Sequence, residues 1–215
     1  MVVIAMGKLV NLPKQEPESL IKQFVYIEGT DNMKRWGHAH AALVRFGDKA
    51  VPAIEKAIHN KDPGVALLGV FVLRDIGTIK ATAALLSALN DNVVDLNVQK
   101  HAVQMLGVLV YLDNNKDKQK IFAALLRTTQ TSHNLHVRAA AALELGRIAD
   151  AKMLTSTEAK EAYKALQELR RSAATAAQKS IENRESYILI SHSLHLIERG
   201  MITKQLQLNY VPKLH

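Results

Sequence analysis

Four stretches of this chain repeat one plan, and that repetition limits the folds open to it. Ala41-Ala42-Leu43-Val44-Arg45-Phe46-Gly47 is followed by Val51-Pro52-Ala53-Ile54-Glu55-Lys56-Ala57-Ile58. Gly69-Val70-Phe71-Val72-Leu73-Arg74-Asp75-Ile76-Gly77 leads in the same way into Ala83-Ala84-Leu85-Leu86-Ser87-Ala88-Leu89. Each time an apolar helix ends at Gly, a short turn follows, and a second apolar helix begins. A single hairpin of this size cannot bury its apolar face; stacked hairpins bury one another's. The period therefore predicts an all-α chain, a right-handed α-solenoid of about four helix pairs with capping helices at its ends.

Composition agrees with such a stack. The chain has 215 residues, 48% of them hydrophobic but only 5% aromatic, so the apolar content is mostly Ala, Leu, Val and Ile. Small and branched side chains suit close helix contact. With no Cys, disulfides and thiolate metal sites are excluded, which fits a reducing compartment. The apolar start, Met1 to Met6, lacks the basic region and length of a signal peptide, and no run approaches the ~20 apolar residues of a membrane span. These features predict a cytoplasmic protein. Net charge is +8, and residues 151–215 carry half of it, with ten Lys or Arg against six Asp or Glu. A basic balance fits an acidic protein, a nucleic acid or an anionic lipid as partner; it equally fits solvated outer faces, because the charges are dispersed among acids.

Residues 1–15 read as a flexible leader and 16–215 as one helical-repeat domain, with core repeats over about 32–155 and capping helices over about 157–208. The pattern predicts a helix over 18–28, then pairs over 33–46 and 49–58, 64–76 and 79–89, 96–112 and 116–129, and a fourth pair opening at 135–149. Asp31 or Asn32, Asp62 before Pro63, and Asp95 are expected helix starts, since a short side-chain oxygen accepts from unpaired first-turn N–H groups. Thr155 and Glu158 have capping-box spacing. Residues 158–183, free of Pro and Gly, predict one long helix; 185–199 predict another, with Gly200 as its stop and 201–215 a short helix or tail.

These repeats resemble the HEAT family, particularly its short bacterial-type, phycobilisome-lyase-like repeats. The likeness lies in Asp62-Pro63-Gly64-Val65 with Leu73-Arg74-Asp75-Ile76-Gly77, and in Asn134-Leu135-His136-Val137-Arg138 with Leu145-Gly146-Arg147-Ile148-Ala149-Asp150. A weaker copy joins Asp95-Leu96-Asn97-Val98 to Met105-Leu106-Gly107-Val108-Leu109. Only Arg138 keeps the family's Arg after Val; Ala66 and Gln99 replace it elsewhere, so no arginine ladder is carried over. The resemblance implies protein–protein scaffolding in most cases, and bilin attachment or damaged-DNA recognition in a minority. It implies nothing specific about activity.

Candidate sites are sparse. His192, His195 and Glu198 could share a helix region, but no His-Glu-x-x-His signature exists, and exposed or hydrogen-bonded histidines account for them better. His38 with His40 has the wrong spacing for one face, and His133 with His136 sits at a turn. Trp36, beside Lys34 and Arg35, could stack on a base; packing into the core accounts for it better. There is no Gly-rich phosphate loop and no Gly-x-Ser-x-Gly elbow, and Asp75 and Asp150 read as capping residues of repeat turns. Neither catalytic residue nor metal nor cofactor is assigned.

Basic groups cluster on second helices, which in this architecture line the concave side: Lys116, Lys118 and Lys120, then Lys164, Arg170, Arg171 and Lys179. The expected function is non-enzymatic: a rigid concave surface holding an acidic or helical protein segment, with Lys56, Lys120, Arg127, Arg170 and Arg171 as electrostatic contacts. The alternatives are sequence-independent binding of a nucleic-acid backbone by the same side, and a HEAT-type DNA glycosylase or lyase-like enzyme. No small-molecule substrate is evident.

Overall fold

Why the chain breaks into these helices is written at their starts. Asp31, Asp62 and Asp95 each accept a first-turn N–H, at 3.0, 2.9 and 2.8 Å. Asn134 accepts from His136 and Val137, and Thr155 and Glu158 close a full capping box. The computed structural model describes residues 16–91, 93–112 and 117–209, apart from the side chains of 90 and 204–209. The expected leader and the turn at 113–116 lie outside the described residues.

Among the described residues there are ten α-helices and no strand. They are α1 (Pro17–Ile21), α2 (Asn32–Phe46), α3 (Val51–Ile58), α4 (Pro63–Ile76), α5 (Ile79–Asn90), α6 (Leu96–Val110), α7 (Lys118–Thr131), α8 (Leu135–Asp150), α9 (Ser156–Ala177) and α10 (Ile181–Asn209). The first helices of the pairs pack in sequence, α2 on α4, α4 on α6, α6 on α8 and α8 on α10. The second helices do the same, α3 on α5, α5 on α7 and α7 on α9. The core lies between these two rows. No described helix is long and apolar enough to cross a membrane.

Burial repeats in register. Residues 52–57, 83–88, 123–128 and 164–169 share one order: exposed, buried, buried, half-buried, exposed, buried. Ile54, Leu85, Leu125 and Leu166 fill the same fully buried position of the second helices, and Leu43, Leu73, Leu106 and Leu145 that of the first. Burying a Leu contributes roughly 1.5–3 kcal/mol, so this spine is the main force aligning the pairs.

Several expected boundaries move, each for a tertiary reason. The helix expected over 18–28 ends early, as α1 and a 3-10 turn at Lys22–Phe24. Arg35 donates to the carbonyls of Gln23 and Val25, and Asn32 bonds both N–H and C=O of Ile27. Side chains of α2 thus take the groups a longer helix would use. The start expected at residue 49 falls at Val51, after a 3-10 turn over Gly47–Lys49. The helix expected over 96–112 stops at Val110.

The single helix expected over 158–183 is cut after Ala177. Asn183 and Arg184 side chains cap the carbonyls of Ala176 and Ala177, while Ser180 accepts from the Asn183 N–H. Most plainly, Gly200 does not stop a helix. It lies inside α10, against α8, where an added Cβ would stand 2.3 Å from the Ala149 carbonyl oxygen. Gly146 of α8 meets Ser193 of α10 less tightly, with a notional Cβ 3.0 Å from the Ser193 backbone. The absent side chains let two backbones touch.

Candidate functional site

Each helix row offers a surface with polar chemistry. On the second-helix row, Lys56, Lys120, Arg127, Arg170 and Arg171 are all exposed. The shared register shows which of them stand together. Lys56, Ser87, Arg127 and Glu168 occupy one equivalent exposed position on α3, α5, α7 and α9. One turn earlier stand Pro52, Ala83, Ala123 and Lys164. The row is therefore small-sided and mixed in charge, basic at Lys56 and Arg127 and acidic at Glu168. Lys120 is tied to the buried Asp117 at 2.8 Å, while Arg170 and Arg171 lie beyond the shared register on α9. Lys118 is half-buried, and Lys116 lies outside the described residues.

The first-helix row holds a cleft that the sequence reading missed. It measures about 250 Å³ and is lined by Lys100 and Gln104 of α6, His136, Ala140, Leu143 and Glu144 of α8, and Glu185, Ser186 and Leu189 of α10. Glu144 is only 3% exposed. Aligning α8 on α4 and α6 puts Glu144 where the earlier helices bury Val72 and Met105. Arg147 pairs with its carboxylate at 2.8 Å, and the carboxylate lies on Gly107, where any Cβ would meet it at 2.3 Å. Burial pushes the Glu144 carboxyl above its usual range, and Arg147 only partly offsets that.

Beside it, Ser186 Oγ and His136 Nδ1 share a hydrogen bond of 2.8 Å. His136 thus sits in the first turn of α8, not in the turn before it. The acid nearest its other nitrogen, Glu182, stands 3.9 Å away with its side chain 83% exposed. That geometry suits a polar binding cleft better than a hydroxyl nucleophile, which needs an acid held tightly behind its base.

The two aspartates read as turn caps instead join helices. Asp75, inside α4, accepts from Arg74 at 2.6 Å and meets His40 of α2 at 2.7 Å. Burial raises the Asp75 carboxyl, but these hydrogen bonds outweigh it and hold the group below its usual range. Asp150, the last residue of α8, takes a two-pronged contact from Arg199 of α10 at 2.7 and 2.6 Å. At the other end His59 and Asp91 join the first two pairs at 2.8 Å. The Asp91 hydrogen bond raises the His59 imidazole and lowers Asp91 in return.

Trp36 packs on the core, and its indole N–H is buried without a hydrogen-bond partner. His192 and His195 are exposed on α10, whereas Glu198 accepts from Tyr163 at 2.6 Å. Among the described residues no three His, Asp or Glu side chains gather as metal ligands.

Stacked helix pairs with a fixed, mixed-charge outer row define an all-helical protein built on internal repetition. Comparison with known protein families and with curated proteins finds no match.

Proposed function

We propose that this protein is a non-enzymatic scaffold, a right-handed HEAT-type solenoid whose second-helix face holds an acidic or helical protein segment. The observation that carries this reading is the recurring exposed position on α3, α5, α7 and α9. Repetition presents Lys56 and Arg127 on parallel helices, with Ala83 and Ala123 beside them where a partner backbone can approach closely. The buried leucine spine holds these positions before binding, so little ordering is needed to engage a partner. Arg171, one turn past Glu168, adds a cation on that side of α9, whereas Arg170, two residues past it, does not share the face.

The test is capture of partners from native extract by the wild-type chain and by a Lys56→Glu/Arg127→Glu variant. Loss of specific bands with the variant, at unchanged thermal stability, supports the reading; an unchanged set overturns it. Nucleic-acid binding is the weaker reading, because Ser87 and Glu168 interrupt the basic row. A backbone binder gives a gel shift that falls steeply with salt, and no shift at low salt removes it. The glycosylase-like or lyase-like reading needs an aromatic beside a buried acid. Here Glu144 is paired with Arg147; Trp36 lies on α2, with α4 and α6 between it and α8, and the aromatic that feels the Glu144 charge is Tyr111, its side chain partly open to solvent.

A further inference from the structure

The outer side of α10 carries apolar side chains that nothing among the described residues covers. Ile181, Ile188 and Ile202 are 73, 63 and 61% exposed, among the most exposed large apolar groups of the chain. Spacings of seven, and of fourteen with His195 at the middle step, place them on one side of the helix. The buried groups Ser186, Ile190, Leu194 and Ile197 face the other way, onto α8 and α9. Exposed isoleucine scattered singly is ordinary; a heptad line of it along a 29-residue helix is not.

Charge says what fits there. The line reads Ile181, Glu185, Ile188, His192, His195, Arg199, Ile202. Run antiparallel against itself, it is self-complementary. Ile181 meets the partner's Ile202, Glu185 meets the partner's Arg199, Ile188 meets the partner's His195, and His192 lies on the axis. Arg199 remains able to serve, since Nε and Nη2 bond Asp150 and leave Nη1 for a second carboxylate. The close contact of Gly146 and Gly200 with the facing backbone holds α10 in place beforehand.

We propose that α10 forms an antiparallel, two-fold contact with α10 of a second copy of this chain. Such a contact is isologous: each favourable pair occurs twice and closes at two subunits. It uses neither the second-helix face nor the partner proposed for it, so the two readings stand or fall separately.

Sedimentation of the full chain over a concentration series up to about 100 µM tests the proposal, because mass action reveals a weak dimer there. The wild type is expected to dimerise, with Ile188→Glu weakening the dimer at least about tenfold. Glu185→Arg and Arg199→Glu, each alone, are expected to sediment as monomers, since each sets like charges opposite each other. Mixed together they are expected to dimerise again, because both pairs regain opposite signs. Melting curves check that Arg199→Glu still folds; if it does not, Ile188→Glu and Glu185→Arg decide. A wild type that stays monomeric overturns the proposal. So does a dimer indifferent to Ile188→Glu or Glu185→Arg, and so does a mixture of two folded variants that fails to pair.

Discussion

Glu144 shows how one residue can depart from a repeat and still be held. A buried ion pair contributes little net stability, because desolvation offsets the attraction. Glu144→Met, matching Met105 of α6, should therefore be neutral or stabilising at neutral pH in urea unfolding, because it removes the buried carboxylate and leaves Arg147 in water. Arg147 loses nothing costly, since its side chain is 55% exposed. The sign with pH follows from linkage. A carboxyl raised in the folded state costs stability above its folded value and costs nothing below its unfolded one. The gain from Glu144→Met should thus shrink to the packing difference in acid; a gain independent of pH would refute the account. Sequence reading passed over this residue because Leu143-Glu144-Leu145 looks like any helix with an outward acid. The signal was present in the repeat register, which sets Glu144 against Val72 and Met105. His59 behaves oppositely. Its pKa is raised from 6.5 by Asp91, so its contribution is complete below that value and lost as pH rises through the folded one. Asp91 is lowered, so its share vanishes only as strong acid protonates it. His59→Gln should lower Tm near pH 5.5 and leave it almost unchanged near pH 8.5, read by thermal melts at each pH.

At the scale of elements, capped starts and the ends at Phe46, Ile58 and Ile76 were legible, while boundaries set by distant groups were not. Asp62, Asp95 and Thr155 begin helices through atoms two or three residues away, so local sequence suffices. Gly200 and the segment after Phe24 are decided by groups distant in the chain, Ala149 in one case, Arg35 and Asn32 in the other. Glycine is ambiguous by itself, because it serves both a left-handed terminus and a close backbone approach. Gly77 is the first kind, with φ 62° at the end of α4; Gly200 is the second. The difference is measurable. Gly200→Ala should destabilise by about 1–3 kcal/mol or more, since α8 and α10 must part. Gly37→Ala, inside α2 with open space around the new Cβ, should stabilise by about 0.5–1 kcal/mol. Urea midpoints of the two variants moving in the same direction would sink this reading.

For the whole molecule, stability is a sum over neighbours. Helix pairs touch the pairs beside them, so a core defect should be felt locally before it is felt globally. The candidate faces depend on this arrangement: the mixed-charge row exists only while α3, α5, α7 and α9 keep register, which is why the cations were visible in sequence while their grouping was not. Trp36, the only tryptophan, sits in α2 and reports on the first pair alone, whereas far-UV circular dichroism reports on every helix. Leu43→Ala removes a fully buried leucine of α2, at a cost of about 2–5 kcal/mol. Its urea transition followed by Trp36 fluorescence should come well before the helical signal is lost. Leu145→Ala, an equally buried leucine in α8, should reverse the order, with helix content falling first and Trp36 holding on in the intact first pairs. Coincident transitions in both variants would mean that the core unfolds as one unit, and that the repeats of sequence are not units of stability.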